Sequence, residues 1–242
     1  MSLPRIFISS DLKEQQKIIL DEAPSHHILQ VLRLQTGSPL IVFNNSGGEF
    51  KSKIIGLYKR RAEVVLEEFV VCNRESPLSI HLGQGISRGE KMDFTIQKGV
   101  ELGVKLITPL FTKYCNVKLE GKRLEKRNLH WQNVAISAAE QSGRCLVPEI
   151  FPAKSLEEWI DDNRSDLRIV FDPNAKDKLS DIKKNPASVS ILVGPEGGLS
   201  KEEIAFAKRK DFLQITLGPR ILRTETGALT AISILQSMWG DI

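Results

Sequence analysis

From residue 78 to the end of the chain, apolar runs of strand length alternate with helix-length segments, and this rhythm restricts the fold more than any other feature. LSIHLGQG (78–85) reads as a strand and EKMDFTIQKGVELG (90–103) as a helix closed by Gly103. VKLITPLF (104–111) is a second strand, and RLEKRNLHWQNVAISAAEQS (123–142) a long helix. LVPEI, SLEEWI, LRIVFD and SVSILV extend the pattern, and a helix begins at Lys201. QITLG (214–218) is the last strand, and the apolar helix GALTAISILQSMW follows it. Strands separated by helices predict an α/β domain with a mostly parallel sheet covered on both faces.

The first 72 residues follow another pattern. LIVFNNSGGEFKSKIIGL has two apolar runs divided by the turn-forming Asn44-Asn45-Ser46-Gly47-Gly48, and RAEVVLEEFVV continues with β-branched residues. A short helix is expected over HHILQVLRL (26–34). NRESP (73–77) interrupts the pattern, so the chain divides into a mostly β domain, 1–72, and an α/β domain, 73–242.

Composition excludes more than it assigns. Of the 242 residues 41% are apolar, yet no stretch reaches the roughly 20 apolar residues that span a bilayer. The N-terminal MSLPRIFISSDLKEQQ lacks a signal-type apolar core. The three cysteines are far apart with no CxxC pair, and four scattered histidines suggest no metal site. A cytoplasmic protein with reduced cysteines and no metal is the expectation. The net charge of +4 permits a nucleic-acid partner without requiring one. Lys59, Arg60 and Arg61 cluster, and residues 113–127 hold six Lys/Arg against two Glu. A solvated helix face explains either run more simply than an RNA contact does.

Chemistry first shows in SILVGPEGGLSKEEI (190–204), an apolar strand running into Gly194, Gly197 and Gly198. A P-loop needs G-x-x-x-x-G-K-[ST], whereas GPEGGLSK places Lys201 after the serine. The dinucleotide fingerprint G-x-G-x-x-G also fails, and such loops follow the first strand of a βαβ unit. Ser200 and Glu203 have capping-box spacing. About twenty residues on, QITLGPRILRTETGALTAI repeats the design, with Gly218 after a strand and Arg220, Arg223 and Glu225 before an apolar helix. Two such loops can bracket one ligand, and charges there are candidates for chemistry.

Together, LVGPEGGLSKEEI and LGPRILRTETGALTAI resemble the C-terminal signature of the small-subunit ribosomal RNA methyltransferase E family, of the SPOUT or α/β-knot superfamily. QKGVELGVKLITPL (97–110), AAEQSGRCLVPEI (138–150) and HHILQVLRLQTG (26–37) resemble further family segments in the same order, so the likeness spans nearly the whole chain. Gly227 stands where alanine would be expected. The resemblance implies a PUA-like β-barrel followed by a SPOUT trefoil-knot domain. It also implies S-adenosylmethionine-dependent methylation of N3 of a uridine in the decoding region of 16S rRNA, by a homodimer. Carried over by position, Phe171, Gly194, Glu196, Gly198, Leu217, Gly218, Ile221 and Leu222 would contact the cofactor. Arg33, Lys59, Arg60, Arg61, Gln141 and Arg144 would face RNA.

Methylating N3 requires loss of a weakly acidic imide proton, so the enzyme must supply a base, positive charge beside the developing anion, or both. Arg223 suits the second role because its guanidinium stays charged; an ion pair with Glu225 is the competing reading. Glu225 or Glu140 could act as the base. Lys98 and Glu101, three apart on one helix, fit a site role and a surface pair equally. A non-catalytic RNA-binding or ribosome-assembly factor is the alternative function, although it leaves both glycine loops without a purpose. A nucleotide-dependent dehydrogenase is disfavoured by the missing fingerprint.

Overall fold

The computed structural model describes residues 3–72, 74–117 and 119–242, which fall into two compact units. The first comprises residues 1–75 and 139–147, the second 76–138 and 148–242.

The first unit carries β1 (Arg5–Phe7), β2 (Lys17–Ile19), β3 (Pro39–Phe43), β4 (Gly48–Tyr58) and β5 (Arg61–Val71), joined in the order β1-β3-β4-β5-β2. The turn expected at Asn44–Gly48 joins β3 to β4, with Asn45 (φ 64°) and Gly47 (φ 82°) left-handed. Alternate positions of β4 and β5 point inward, so Phe50, Ile54, Ala62, Val64 and Leu66 pack with Ile6, Leu20, Ile28, Leu40 and Val42 in one core. The helix expected over 26–34 is displaced: α1 (Glu22–His26) starts earlier and continues as a π-helical turn, His27–Val31. Buried Ser25 explains the early start, because its hydroxyl bridges the Leu20 carbonyl and the Ala62 amide.

The second unit is built on a sheet whose pairs are all parallel. Its strands are β6 (Ser79–Gly85), β7 (Leu106–Phe111), β8 (Glu149–Ile150), β9 (Lys154–Ser155), β10 (Leu167–Phe171), β11 (Asp177–Lys178), β12 (Ser188–Val193) and β13 (Leu213–Thr216). The order is β11-β13-β10-β12-β6-β7-β8, with β9 also on β7. The helices are α2 (Glu90–Glu101), α3 (Gly121–Ser142), α4 (Leu156–Asp162), α5 (Lys201–Arg209) and α6 (Thr224–Trp239). The last four residues of α3 belong to the first unit. Leu110, Trp159, Val170, Leu192 and Phe212 form part of the buried core between sheet and helices. Ser200 caps α5 as its spacing predicted, its hydroxyl accepting the Glu203 amide at 3.2 Å while Glu203 Oε2 accepts the Ser200 amide at 2.7 Å.

The expectation of three reduced cysteines is corrected. Cys72 and Cys145 form a disulfide with Cα atoms 6.4 Å apart, and Cys115 is free. Their separation of 73 residues hides the pair in the sequence; the chain after α3 returns to the end of β5. No helix among the described residues is long and apolar enough to cross a membrane.

Candidate active site

Neighbouring parallel strands β12, β10 and β13 end on the same edge of the sheet, and the loops leaving them close on one cleft of about 1090 Å³. That is the crevice outside the carboxyl ends of strands where ligands of open α/β sheets bind. It brings together Phe171, Gly194, Glu196, Gly198, Leu217, Gly218, Ile221, Leu222 and Arg223, all named from the sequence.

The first loop is held from within. An added Cβ on Gly194 would lie 2.8 Å from the Gly198 carbonyl carbon and 2.9 Å from the Leu199 nitrogen, so the loop's own backbone requires the glycine. The Gly194 carbonyl accepts the Thr224 hydroxyl at 2.5 Å, and Gln84 Nε2 donates to that hydroxyl at 2.9 Å. Gln84 is fully buried on β6 and also donates to the Gly85 carbonyl at 3.0 Å. These bonds tie the first loop to the first residue of α6. Glu196 is engaged as well, accepting the Arg88 amide at 3.0 Å and facing Lys91 Nζ at 3.4 Å. Burial pushes its carboxyl upward, but its own amide, the Arg88 amide and the Lys91 ammonium outweigh that and hold it below the ordinary glutamate value.

The second loop is open. Gly218 has φ 103°, a left-handed conformation in which a side chain is strained, and nothing lies within 4 Å of a Cβ placed there. Ile221 is 88% exposed. Arg223 is exposed on the N-cap of α6 and, among the described residues, makes no ion pair with Glu225. Glu225 does not line the cleft; its Oε2 is buried without a hydrogen-bond partner among the described residues.

Glu140, Gln141 and Arg144 belong to the first unit. Burial raises the Glu140 carboxyl above its ordinary value, against the lowering effects of the Phe7 amide and Arg5, and Oε1 accepts that amide at 2.9 Å. Arg144 is 4% exposed and binds Glu75 through two nitrogens at 2.6 and 3.0 Å. Arg61 is partly committed, to the Leu20 carbonyl at 2.7 Å and Asp21 at 2.6 Å. Lys59 and Arg60 form the exposed tip between β4 and β5, with φ of 47° and 68°, and Arg33 is exposed at φ 55°. Lys98 and Glu101 pair at 2.7 Å on one face of α2.

Sequence reading missed Gln84, Lys91, Tyr114, Thr224 and the Asp172–Asn174 turn, in which Asp172 accepts the Asn174 amide at 2.9 Å. Gln84 carried little signal, because its strand also holds the polar Ser79 and His81.

The cleft suits a ligand part flat and apolar, part charged, since bare backbone, Val193, Leu217 and Leu222 line it together with Lys91, Glu196 and Arg223. Comparison with known proteins agrees. A family model described as an RNA methyltransferase domain matches residues 74–236, and one described as an RNA methyltransferase PUA domain matches 20–67. The chain is 41% identical to ribosomal RNA small subunit methyltransferase E of Buchnera aphidicola subsp. Schizaphis graminum, over 99% of this chain and 98% of that one. It is 32% identical to the Bacillus subtilis protein of that name, over 96% of each. Among solved structures, a Legionella pneumophila methyltransferase with bound S-adenosylmethionine superposes with a TM-score of 0.97 at 38% identity, over the whole of both chains. Ribosomal RNA small subunit methyltransferase E of Neisseria gonorrhoeae, also bound to S-adenosylmethionine, gives 0.93 at 38%, again over both whole chains. With the mostly parallel sheet and the cleft at its strand ends, these similarities place the chain in the ribosomal RNA small subunit methyltransferase E family.

Proposed function

We infer that this protein is an S-adenosylmethionine-dependent methyltransferase of small-subunit (16S) ribosomal RNA, acting on N3 of a uridine. The observation that carries the reading is the convergence of three adjacent strand ends on one cleft, with Arg223 exposed at its edge. S-adenosylmethionine, when bound, supplies an electrophilic methyl group on a sulfonium. Backbone at Gly194, Leu217 and Gly218 would hold the adenosine part, with Phe171, Gly198, Ile221 and Leu222 closing around it. Glu196 already carries a fixed negative charge at the cleft, held by Arg88 and Lys91.

Arg223 stabilises the uridine anion by donating toward its carbonyl oxygens, which lowers the cost of removing the N3 proton. For the base that takes this proton Glu225 and Glu140 are the candidates, although neither lines the cleft of a single chain, and separate Glu225→Gln and Glu140→Gln variants distinguish them. Positioning supplies much of the remaining rate. Exposed Lys59 and Arg60, with Tyr58 and Leu57 beside them at the tip of the β4–β5 hairpin, offer charge for phosphates and an aromatic face for an unpaired base. Arg33 would add a further phosphate contact. The protein is proposed to be cytoplasmic and homodimeric, a second copy bringing Gln141 to the cleft. The two units divide the work, residues 1–72 meeting RNA and the α/β region performing transfer.

Ribosomal RNA from a strain lacking this gene, incubated with purified protein and radiolabelled S-adenosylmethionine, should yield labelled 3-methyluridine. Mass spectrometry of nuclease fragments locates it. Label on another base or atom overturns the substrate assignment, and absence of cofactor binding by calorimetry overturns the enzyme reading.

A further inference from the structure

The first unit contains a group of reactive side chains with no part in methyl transfer. Cys72 follows β5 and is half-buried, whereas Cys145 is fully buried in the segment after α3. Their Cα separation of 6.4 Å lies within the span a disulfide bridges without backbone movement. Cys145 Sγ lies 3.6 Å from an Arg5 guanidinium nitrogen and 3.4 Å from Glu49 Oε2. Glu49 pairs in turn with Arg5 at 2.5 Å and Arg74 at 3.2 Å. A guanidinium beside sulfur favours the thiolate, which is the nucleophile in exchange. Glu49, Cys72 and Cys145 also have the spacing of metal ligands, but two arginines on the one carboxylate oppose a cation. Cys115 shows the contrast: among the described residues its sulfur has hydrogen-bond contacts with the Ile86 and Val117 carbonyls, at 3.6 and 3.5 Å.

We propose that Cys72 and Cys145 are a site of thiol–disulfide exchange, which takes a low-molecular-weight disulfide such as glutathione disulfide. Oxidised, it clips residues 139–147 to the end of β5. The more accessible Cys72 thiolate attacks one sulfur of glutathione disulfide, forming a mixed disulfide and releasing one glutathione thiolate. Cys145 then loses its proton to water, and its thiolate, beside Arg5, attacks the Cys72 sulfur and expels the second glutathione. The two released thiolates take up the protons lost by the two cysteines. Each protein sulfur loses one electron and each glutathione sulfur gains one, so the sum is protein dithiol plus glutathione disulfide giving protein disulfide plus two glutathiones. The clipped segment is already held by Arg144 on Glu75, by Glu140 on the Phe7 amide and by Asn45 on the Val147 amide. The covalent bond therefore fixes a segment that is positioned in either redox state.

Full-length protein equilibrated across glutathione redox buffers, trapped by alkylation and digested, tests this directly. A 72–145 linked peptide should rise with the oxidised fraction and vanish on return to reduced glutathione, while Cys115 stays alkylatable. The oxidised protein should melt about 5–10 °C above the reduced one, because the link closes a long loop. Amides 140–147 should exchange more slowly in it. Cys72→Ser should melt with the reduced wild type, which separates the covalent link from side-chain packing. The proposal is overturned by a link through Cys115, by glutathione left on Cys72 without the second step, or by a 72–145 link that changes neither melting nor exchange. Zinc uptake at these thiols in place of exchange overturns it equally.

Discussion

The two glycine loops of the cleft have similar sequences and opposite construction. The loop after β12 is fixed by hydrogen bonds from Thr224 and Gln84 to Gly194, by Arg88 and Lys91 on Glu196, and by the capping box of α5. Among the described residues the loop after β13 makes one side-chain hydrogen bond, from Thr216 to the Gly218 carbonyl at 3.1 Å, and it exposes Ile221 and Arg223. Gly194 is required by close backbone packing, Gly218 by its left-handed φ. A glycine-rich loop can therefore be a rigid wall or an open lip, and the difference lies in which polar groups reach its carbonyls. Here the wall positions the lip, because Thr224 immediately follows Arg223.

Arg223→Ala breaks the lip alone and should have the largest effect. Methyl transfer should fall roughly 10²–10³-fold, the usual cost of losing one preorganised stabilising donor, while calorimetric binding of S-adenosylmethionine is retained. Equal loss of both would make Arg223 a structural residue. Arg223→Lys should recover only part of the rate, since an ammonium cannot hold two acceptors in a fork.

In the same sheet, β6 carries His81, whose Nε2 lies 2.8 Å from the Thr108 hydroxyl and accepts from Trp159 Nε1 at 3.1 Å. Burial, and secondarily Lys154, push its pKa down to about 4. The folded protein keeps this ring neutral, while the unfolded chain binds a proton below about pH 6.5. Unfolding therefore takes up a proton between these values, so stability is fully present above pH 6.5 and is lost as pH falls toward 4, by about 3 kcal/mol. Urea unfolding across that range measures it, and His81→Gln should flatten the profile attributable to this site. An unchanged slope in the variant would remove His81 as the cause.

Thr224→Val tests whether the wall positions the lip. Deleting the hydroxyl leaves the Gly194 carbonyl with Gln84 at 3.4 Å and should cost about 1–2 kcal/mol, read as roughly tenfold weaker cofactor binding. Unchanged affinity would mean that the first loop holds its shape without α6. Gly227→Ala should have the smallest effect. A Cβ there meets only Leu222 Cβ, at 4.0 Å, and alanine in a helix should stabilise the protein by up to about 1 kcal/mol in thermal unfolding. Destabilisation would show that the cleft wall beside the second loop has no room.

Much of the second unit was legible because its signals are local. Apolar runs of strand length, Ser200 and Glu203 at capping spacing, and glycines after strands each report on a few consecutive residues. The helix near 26–34 was misplaced because buried Ser25, bonded across the unit to Ala62, sets its start. Arg144 looked like a free cation because Glu75, its partner, is 69 residues away. Gln84 and Thr224, 140 residues apart, each resemble ordinary polar residues until the sheet places them together. Cys72 and Cys145 were missed for the same reason.

By itself, then, the sequence determined the succession of elements, the parallel character of the sheet and the two loops that line the cleft, since these follow from periodicity, capping and strand ends. Tertiary structure alone decided which loop is rigid, which arginine is free to reach a ligand and which cysteines meet. Those depend on contacts between residues far apart in the chain, where burial and charge are set by neighbours that no local pattern contains.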